Sequence, residues 1–422
     1  MSNWNIDTLC VQGAYKPKSG EPRVLPLYQS TTYKYDTTEE LADLFDLKKD
    51  GHMYSRISNP TVEALENKIA LLEEGIGAVA TSSGQSATLN ALLTICSSGD
   101  NIICSSQVYG GTYNLLNVTL RKLGIDVRFV KANSSGEEIY SLSDENTKAV
   151  FGETISNPGC RVLNFEEFSK GAKRIGVPLI VDNTFATPYL CKPFKYGANI
   201  IIHSTTKYMD GHGSCVGGII VDGGNFNWEN KRFKEFIEPD DSYHGVIYSK
   251  DFKNMAYIVK ARVQLLRDLG NCMSPFNAYL TNLGLETLHL RMERHSENAL
   301  ALSQWLENHP KVSWVNYPLL KGNKDYAIAN KYLNKGASGV ITFGLKGGKK
   351  AGEGFVRNLK LVSLVIHVAD VRSSVLHPSS TTHRQLSEEE QIKAGVSPEL
   401  IRFSVGIESI DDIIRDVEEA LK

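Results

Sequence analysis

Three short stretches of this 422-residue chain carry residue types suited to covalent and acid–base chemistry. The first is Thr81-Ser82-Ser83-Gly84-Gln85-Ser86-Ala87, where a β-like run gives way to a helical one. A glycine at that point lets backbone N–H groups approach an anion, and the positive end of a helix dipole favours phosphate. Ordinary β-to-α turns use Ser and Gly as simple caps too. The second is Asp182, which closes the apolar run Val177-Pro178-Leu179-Ile180-Val181. A carboxylate there is costly to bury without a cation, so it either meets a protonated ring nitrogen or a metal, or caps the next turn. The third is Lys207, just past Ile200-Ile201-Ile202-His203 and flanked by the hydroxyls of Ser204 and Thr206. Desolvation at such a place lowers a lysine's pKa and suits it to Schiff-base chemistry, although a lone lysine in a turn is more often simply exposed.

The three together say more than any one alone. A phosphate-sized turn, a carboxylate, and 25 positions later a lysine among hydroxyls are what pyridoxal 5′-phosphate requires. That cofactor needs an anion cradle, an acid to keep its ring nitrogen protonated, and a lysine for its aldehyde. Tyr109, in Gln107-Val108-Tyr109-Gly110-Gly111, is placed to stack on the ring or to pack in the core. Competing motifs do less well. Ser204-Thr205-Thr206-Lys207 fits the S-x-x-K of penicillin-recognising acylases, but no S-D-N follows it. Gly211 to Gly217 misses the dinucleotide-turn spacing, and His203 and His212 are not at metalloprotease spacing.

These residues need a scaffold. Six apolar runs alternate with helical stretches: Ala78–Thr81, Asn101–Cys104, Val127–Val130, Ala149–Gly152, Leu179–Asp182 and Ile200–His203. Such alternation predicts an α/β domain with a mostly parallel sheet, whose ligands gather at the carboxyl ends of the strands. Thr61–Glu74 has helical spacing and ends at Gly75, whereas the first 60 residues, punctuated by Pro17, Pro22 and Pro26, read as irregular. From Asp251 onward, long helical candidates (251–268, 275–302, 411–421) and strands near 339–344 and 400–405 suggest a smaller α+β domain. The aromatic and charged segment Asp222–Gly245 reads as a lid or partner loop.

Composition narrows the class. Forty-six basic against 48 acidic residues give a net charge of -2, which argues against a phosphate-tracking nucleic-acid binder. No apolar run approaches the roughly 18–20 residues of a membrane span, and the start lacks the pattern of a secretory signal. Seven widely spaced cysteines without a CxxC fit reduced thiols in a cytoplasm rather than a disulfide framework or a metal site.

Longer strings carry a resemblance. Tyr54-Ser55-Arg56-Ile57-Ser58-Asn59-Pro60-Thr61, Val181–Pro188 and His203–Tyr208 resemble the Cys/Met-metabolism family of pyridoxal-phosphate enzymes (fold type I), over nearly the whole chain. Tyr109–Leu115, Ala261–Gly270, Gly284–Asn298 and His377–His383 are similar to its O-acetylhomoserine sulfhydrylase branch. The resemblance implies γ-replacement of acetate by sulfide or a small thiol. A methionine γ-lyase or a cystathionine γ-synthase activity is the alternative, and methionine lyases typically carry Cys where this chain has Gly111. It also implies roles. Lys207 would hold the cofactor and move protons, Asp182 would face the ring nitrogen, Tyr109 would stack, and Asn157 would bond the 3′-oxygen. Gly84 and Gln85 backbone, Ser204 and Thr206 would hold phosphate, with Tyr54 and Arg56 reaching in from a neighbouring subunit. Arg402 would clamp the substrate carboxylate, with Asn157 and Tyr54 beside the substrate, and no metal is implied. The implied organisation is an N-terminal arm (1–60), a cofactor-binding domain (61–250) and a C-terminal domain (251–422), assembled as a dimer of dimers. One departure stands out: His367-Val368-Ala369-Asp370 lies where the family carries something closer to Asn-x-Gly-Asp.

Overall fold

Each apolar run named above becomes a strand in the computed structural model, which describes residues 4–382, 384–385, 387–393 and 395–422. His383, the last residue of one resemblance string, and Met1–Asn3 lie outside the described residues. The strands are β1 (Gly77–Thr81), β2 (Asn101–Ser105), β3 (Asp126–Val130), β4 (Thr147–Glu153), β5 (Leu179–Asp182), β6 (Ile200–His203) and β7 (Gly218–Asp222). They form one sheet in the order β1-β7-β6-β5-β4-β2-β3. All pairings from β6 to β3 are parallel, while β7 runs antiparallel to both β1 and β6. The inner strands are almost fully buried, as sheets covered on both faces must be, while the edge strand β3 is partly exposed.

Strand β7 was not expected, and its direction corrects the reading of the next segment. Asp222 pairs with Gly77 and Ile200, the first residues of β1 and β6. The chain therefore leaves β7 at the amino ends of the parallel strands, opposite the end that receives ligands. There Trp228, Phe233 and Phe236 are buried against Tyr257, and Arg232 donates to the carbonyls of Asp144, Glu145 and Thr147 at the start of β4. Residues 222–236 are thus packed at the amino end of the sheet and are not a lid over the site, while the chain from Asp240 returns along the helical pieces, where Asp240 pairs with Lys260 and Tyr243 donates to Val263 O.

The first 60 residues contain two helices, Ile6–Gln12 and Thr38–Phe45. The second has a capping box: Thr37 accepts from Glu40 N, and the Glu40 side chain accepts from Thr37 N. The first is held by burial of Leu9 and Cys10 within its own chain. Helix Pro60–Glu73 follows, its Asn59 cap accepting from the N–H groups of Thr61 and Val62 and its Leu65, Ile69 and Leu72 fully buried.

In the C-terminal half the 251–268 candidate is broken into short helical pieces, including a wide π-type turn at Ala261–Leu266. Inside that turn Arg262 donates to Ile57 O, Ala78 O and Glu66 Oε2. The 275–302 candidate is two helices, Pro275–Glu286 and Leu288–Glu307, separated at Thr287. A second sheet combines β8 (Val312–Asn316), β9 (Val340–Leu345), β10 (Ser363–Leu364), β11 (Ser374–Leu376) and β12 (Leu400–Ser404) in the order β10-β11-β12-β9-β8. Only β10 and β11 are parallel in it, and helix Ile410–Leu421 closes the chain.

Candidate active site

The carboxyl ends of β1, β5 and β6 bring the three chemical stretches together. After β1, Ser83 caps helix Gly84–Leu93 by accepting from Ser86 N at 3.1 Å. A Cβ on Gly84 would fall 2.6 Å from Ser204 Cβ, so glycine is what lets this helix start lie against the loop after β6. On the other flank, a Cβ on Gly111 would meet the Tyr109 ring at 2.4 Å and Gln85 Nε2 at 2.7 Å. Gly84, Gln85, Tyr109 and Ser204 are therefore neighbours. Thr206 completes the rim, its hydroxyl engaged by the backbone of Gly217.

Asp182 is wired to this cradle. Its Oδ1 accepts from Thr184 N at 2.9 Å, and the Thr184 hydroxyl accepts from Ser204 N at 2.9 Å. Burial raises the Asp182 carboxyl, opposed by Thr184 and by the charge of His203. Beside it stands Glu153, which closes β4 and pairs in register with Asp182. Burial, and then the charge of Asp182, pushes Glu153 well above the usual carboxylate range. Its Oε1 accepts from Tyr109 N at 2.6 Å, and its carboxyl also accepts from Asn157 N–H. Glu153 thus ties two expected site residues to the sheet. Sequence reasoning missed it, although the signal was there: it ends an apolar strand just as Asp182 does.

The turn bearing Lys207 is held rigidly. Tyr208 is fully buried, its hydroxyl accepting from Gly339 N at 2.8 Å, and Arg291 donates to its carbonyl at 2.6 Å. Lys207 O accepts from Gly211 N at 2.7 Å. Burial, reinforced by the charge of Arg402, brings the Lys207 ammonium down to about 8. At pH 7.5 about a quarter of such amines are neutral, against about one in a thousand at the ordinary value. Lys207 Nζ lies 3.3 Å from His367 Nδ1.

From the second sheet β12 contributes Arg402, which is 8% exposed. It donates to Ile366 O at 2.8 Å and to Asn157 Oδ1 at 3.4 Å, while its Nε has no partner. Among the described residues no carboxylate pairs with it, and burial lowers it to about 10, still a cation at neutral pH. A buried guanidinium fork with an unused N–H is a receptor for a carboxylate. Tyr54 and Arg56 stand apart. Arg56 packs over the Tyr54 ring and donates to Arg267 O, and Tyr54, 41% exposed, bridges to Thr32.

These groups fit pyridoxal 5′-phosphate. A lysine with a lowered pKa, an acid on the neighbouring strand, and a hydroxyl-lined cradle that tolerates no Cβ share one edge of the sheet.

The comparisons agree. The sequence matches the Cys/Met metabolism PLP-dependent enzyme family over residues 7–422. The chain belongs to that family. It is 49% identical to an O-acetyl-L-homoserine sulfhydrylase of Leptospira meyeri, covering 100% of this chain and 97% of that protein. It is 46% identical to a homocysteine synthase of Schizosaccharomyces pombe, covering 99% and 98%. Its fold superposes with a TM-score of 0.94 and 37% identity on an O-acetylhomoserine (thiol)-lyase of Campylobacter jejuni, covering 99% and 100% of the two chains. That structure holds a pyridoxyl-lysine phosphate. The expected fold class, two sheets of which the larger is mostly parallel, and the expected cofactor are both borne out. Among the described residues no group of three or more His, Cys, Asp or Glu is arranged to hold a metal, and all seven cysteines are free thiols.

Proposed function

We propose that this chain is an O-acetylhomoserine sulfhydrylase, exchanging the acetate of O-acetyl-L-homoserine for sulfide or a small thiol to give L-homocysteine. The observation that carries the reading is the convergence of Lys207 with its lowered pKa, the acid Asp182 and the unpartnered Arg402 in a chain similar, end to end, to sulfhydrylases. Gly111 favours it over a γ-lyase, because the Cβ of a Cys there would sit 2.4 Å from the Tyr109 ring.

When bound, pyridoxal 5′-phosphate supplies an electron sink for carbanions next to the amino group. The chain supplies the rest. Arg402 grips the substrate carboxylate, and Asn157, held by Arg402 and Glu153, presents its side chain beside it. Lys207 Nζ takes the Cα proton and moves protons along the substrate, a role that its lowered pKa suits. Asp182 keeps the cofactor ring nitrogen protonated, and Tyr109, fixed by its N–H to Glu153, covers the ring face. Gly84, Gln85, Ser204 and Thr206 hold the phosphate. Residues 61–250 form the cofactor domain and 251–422 the domain that brings Arg402.

Tyr54 and Arg56 lie on the exposed 1–60 segment, and we assign them to the site of a second copy in a homo-oligomer, a dimer of dimers. The exposed Tyr28, Tyr54, Tyr109, Val216 and Phe276 support such an interface. No helix among the described residues is long and apolar enough to cross a membrane, and the free thiols fit a reducing cytoplasm.

The test is an assay of the purified protein with sulfide and acetylated, succinylated or phosphorylated homoserine. Homocysteine from the acetyl ester, lost in Lys207→Ala while the fold persists, is the expected result. Release of α-ketobutyrate from methionine instead would overturn it.

A further inference from the structure

The segment where the sequence departs from its family lies against the reacting amine. Besides the 3.3 Å contact of His367 Nδ1 with Lys207 Nζ, the other ring nitrogen, Nε2, is buried and has no hydrogen-bond partner. The backbone on both sides is pinned. Ile366 O accepts from Arg402, His367 O accepts from the Ser374 hydroxyl at 3.1 Å, and Ala369 N donates to the Ser404 hydroxyl at 2.8 Å. Nε2 faces Gly213: a Cβ on that glycine would stand 3.7 Å from it. Gly213 in turn lines an open cavity of about 340 Å³, shared with Thr206, Ser214, Val216, Asn277 and His367 itself. The charged groups around the ring are Lys207, Asp370, Asp210 and Arg372, with Arg402 bonded to the preceding carbonyl. Burial and the Lys207 charge lower the imidazole's pKa and keep it neutral at neutral pH.

A neutral imidazole with one nitrogen on an ammonium and the other unbonded, next to Gly213 of the cavity wall, is placed to pass a proton through. The proposed reaction needs such a path, because replacing acetate with H₂S forms homocysteine, acetate and one surplus proton. We propose that His367 is a proton relay between Lys207 and this cavity, an inference that rests on Lys207 being the base. Nδ1 forms a bond to a proton leaving Lys207 Nζ as Nε2 gives up its own proton to a water or thiolate in the cavity. The ring changes tautomer without changing charge, and a half-turn of the ring, rather than transfer back to Lys207, restores the starting arrangement, so the surplus proton leaves once per turnover.

The test uses the holoenzyme in D₂O with L-2-aminobutyrate, which has no leaving group at Cγ, so that reaction stops at Cα. Proton NMR follows exchange of the Cα hydrogen for deuterium. His367→Asn keeps an acceptor near the Nδ1 position but cannot relay, whereas His367→Ala loses both functions. Exchange slowed at least about a hundredfold in both variants is the expected result, at the low end of what a positioned acid–base group supplies. Asn at the wild-type rate, whether or not Ala is slow, would overturn the relay and leave Lys207 as the base. No exchange in the wild type would overturn the assignment of Lys207 as well. A second readout needs neither a His367 variant nor turnover: ¹⁵N-imidazole shifts of the full chain should show His367 protonated at Nε2 and should move in Lys207→Met. A proton on Nδ1 would count against the relay.

Discussion

Removing Arg402 tests the geometry of the site most directly, because two separate consequences follow from one side chain. The guanidinium is buried, lacks an acidic partner and leaves Nε unbonded, so a substrate carboxylate completes it. Two charge-assisted hydrogen bonds at about 1.5–3 kcal/mol each contribute roughly 3–6 kcal/mol, or about 10² to 10⁴ in kcat/KM. Arg402→Ala should show a loss of that size. Arg402→Lys should recover only part of it, since an ammonium cannot make the forked contact. The carboxamide analogue of O-acetylhomoserine closes the cycle: it should be poor for the wild type and no poorer for Arg402→Ala than the natural ester. The second consequence is electrostatic. Arg402 is the charge that, after burial, lowers Lys207 to about 8. Only the neutral amine captures the cofactor aldehyde, so the capture rate of cofactor-free protein should rise with pH and level off just above 8. Without Arg402 that inflection should move to higher pH. A kcat/KM loss under tenfold, or an equal penalty for the carboxamide in both proteins, would refute the clamp. An unmoved inflection would refute the electrostatic coupling.

Other expectations follow from the same contacts. Gly84→Ala should weaken cofactor binding at least about tenfold by equilibrium dialysis, because the new Cβ lands 2.6 Å from Ser204 in the cradle. Trp228→Ala should cost about 3–5 kcal/mol of stability in denaturant titrations, yet leave kcat/KM of the surviving folded enzyme unchanged, since residues 222–236 pack at the far end of the sheet. Asp222 is buried with Oδ2 unpartnered, and burial raises it to about 7. A carboxyl raised in the folded state helps fully below its unfolded value and loses that help as pH climbs through the folded one. The melting temperature should therefore fall between about pH 4 and 7 by more in the wild type than in Asp222→Asn, which thermal scans across that range would show.

How far the sequence revealed the molecule depended on how local each signal was. The six apolar strands, the helix after Pro60 and the residues Lys207, Asp182, Ser204 and Gly84 were legible because strand-end chemistry is written within a few positions. The capping box at Thr37–Glu40 was equally local and was simply overlooked. Strand β7 was harder: Gly218–Asp222 reads as one more apolar run, and only its pairing with β1 and β6 sets its direction. That single reversal places residues 222–236 at the amino end of the sheet, opposite the end that receives ligands. Arg262 and Arg291 were also hidden, because each pins segments remote in sequence: Arg262 those at Ile57 and Ala78, and Arg291 the Lys207 turn at Tyr208 O.

The least local feature is the division of charge, and it explains why the substrate binds one way round. Glu153 and Asp182 end adjacent strands and compete, since two buried carboxylates side by side are costly to ionise together. Burial and the charge of Asp182 push Glu153 well above the usual carboxylate range against the N–H groups of Tyr109 and Asn157, and Asp182 is the anion proposed for a ring nitrogen. Arg402 and Lys207 form the opposite, cationic side, and there the competition runs the other way. The guanidinium keeps its proton at neutral pH and thereby helps the lysine to lose its own. On the proposed reading, a substrate carboxylate is drawn to the unpartnered guanidinium of Arg402, on the same side as Lys207.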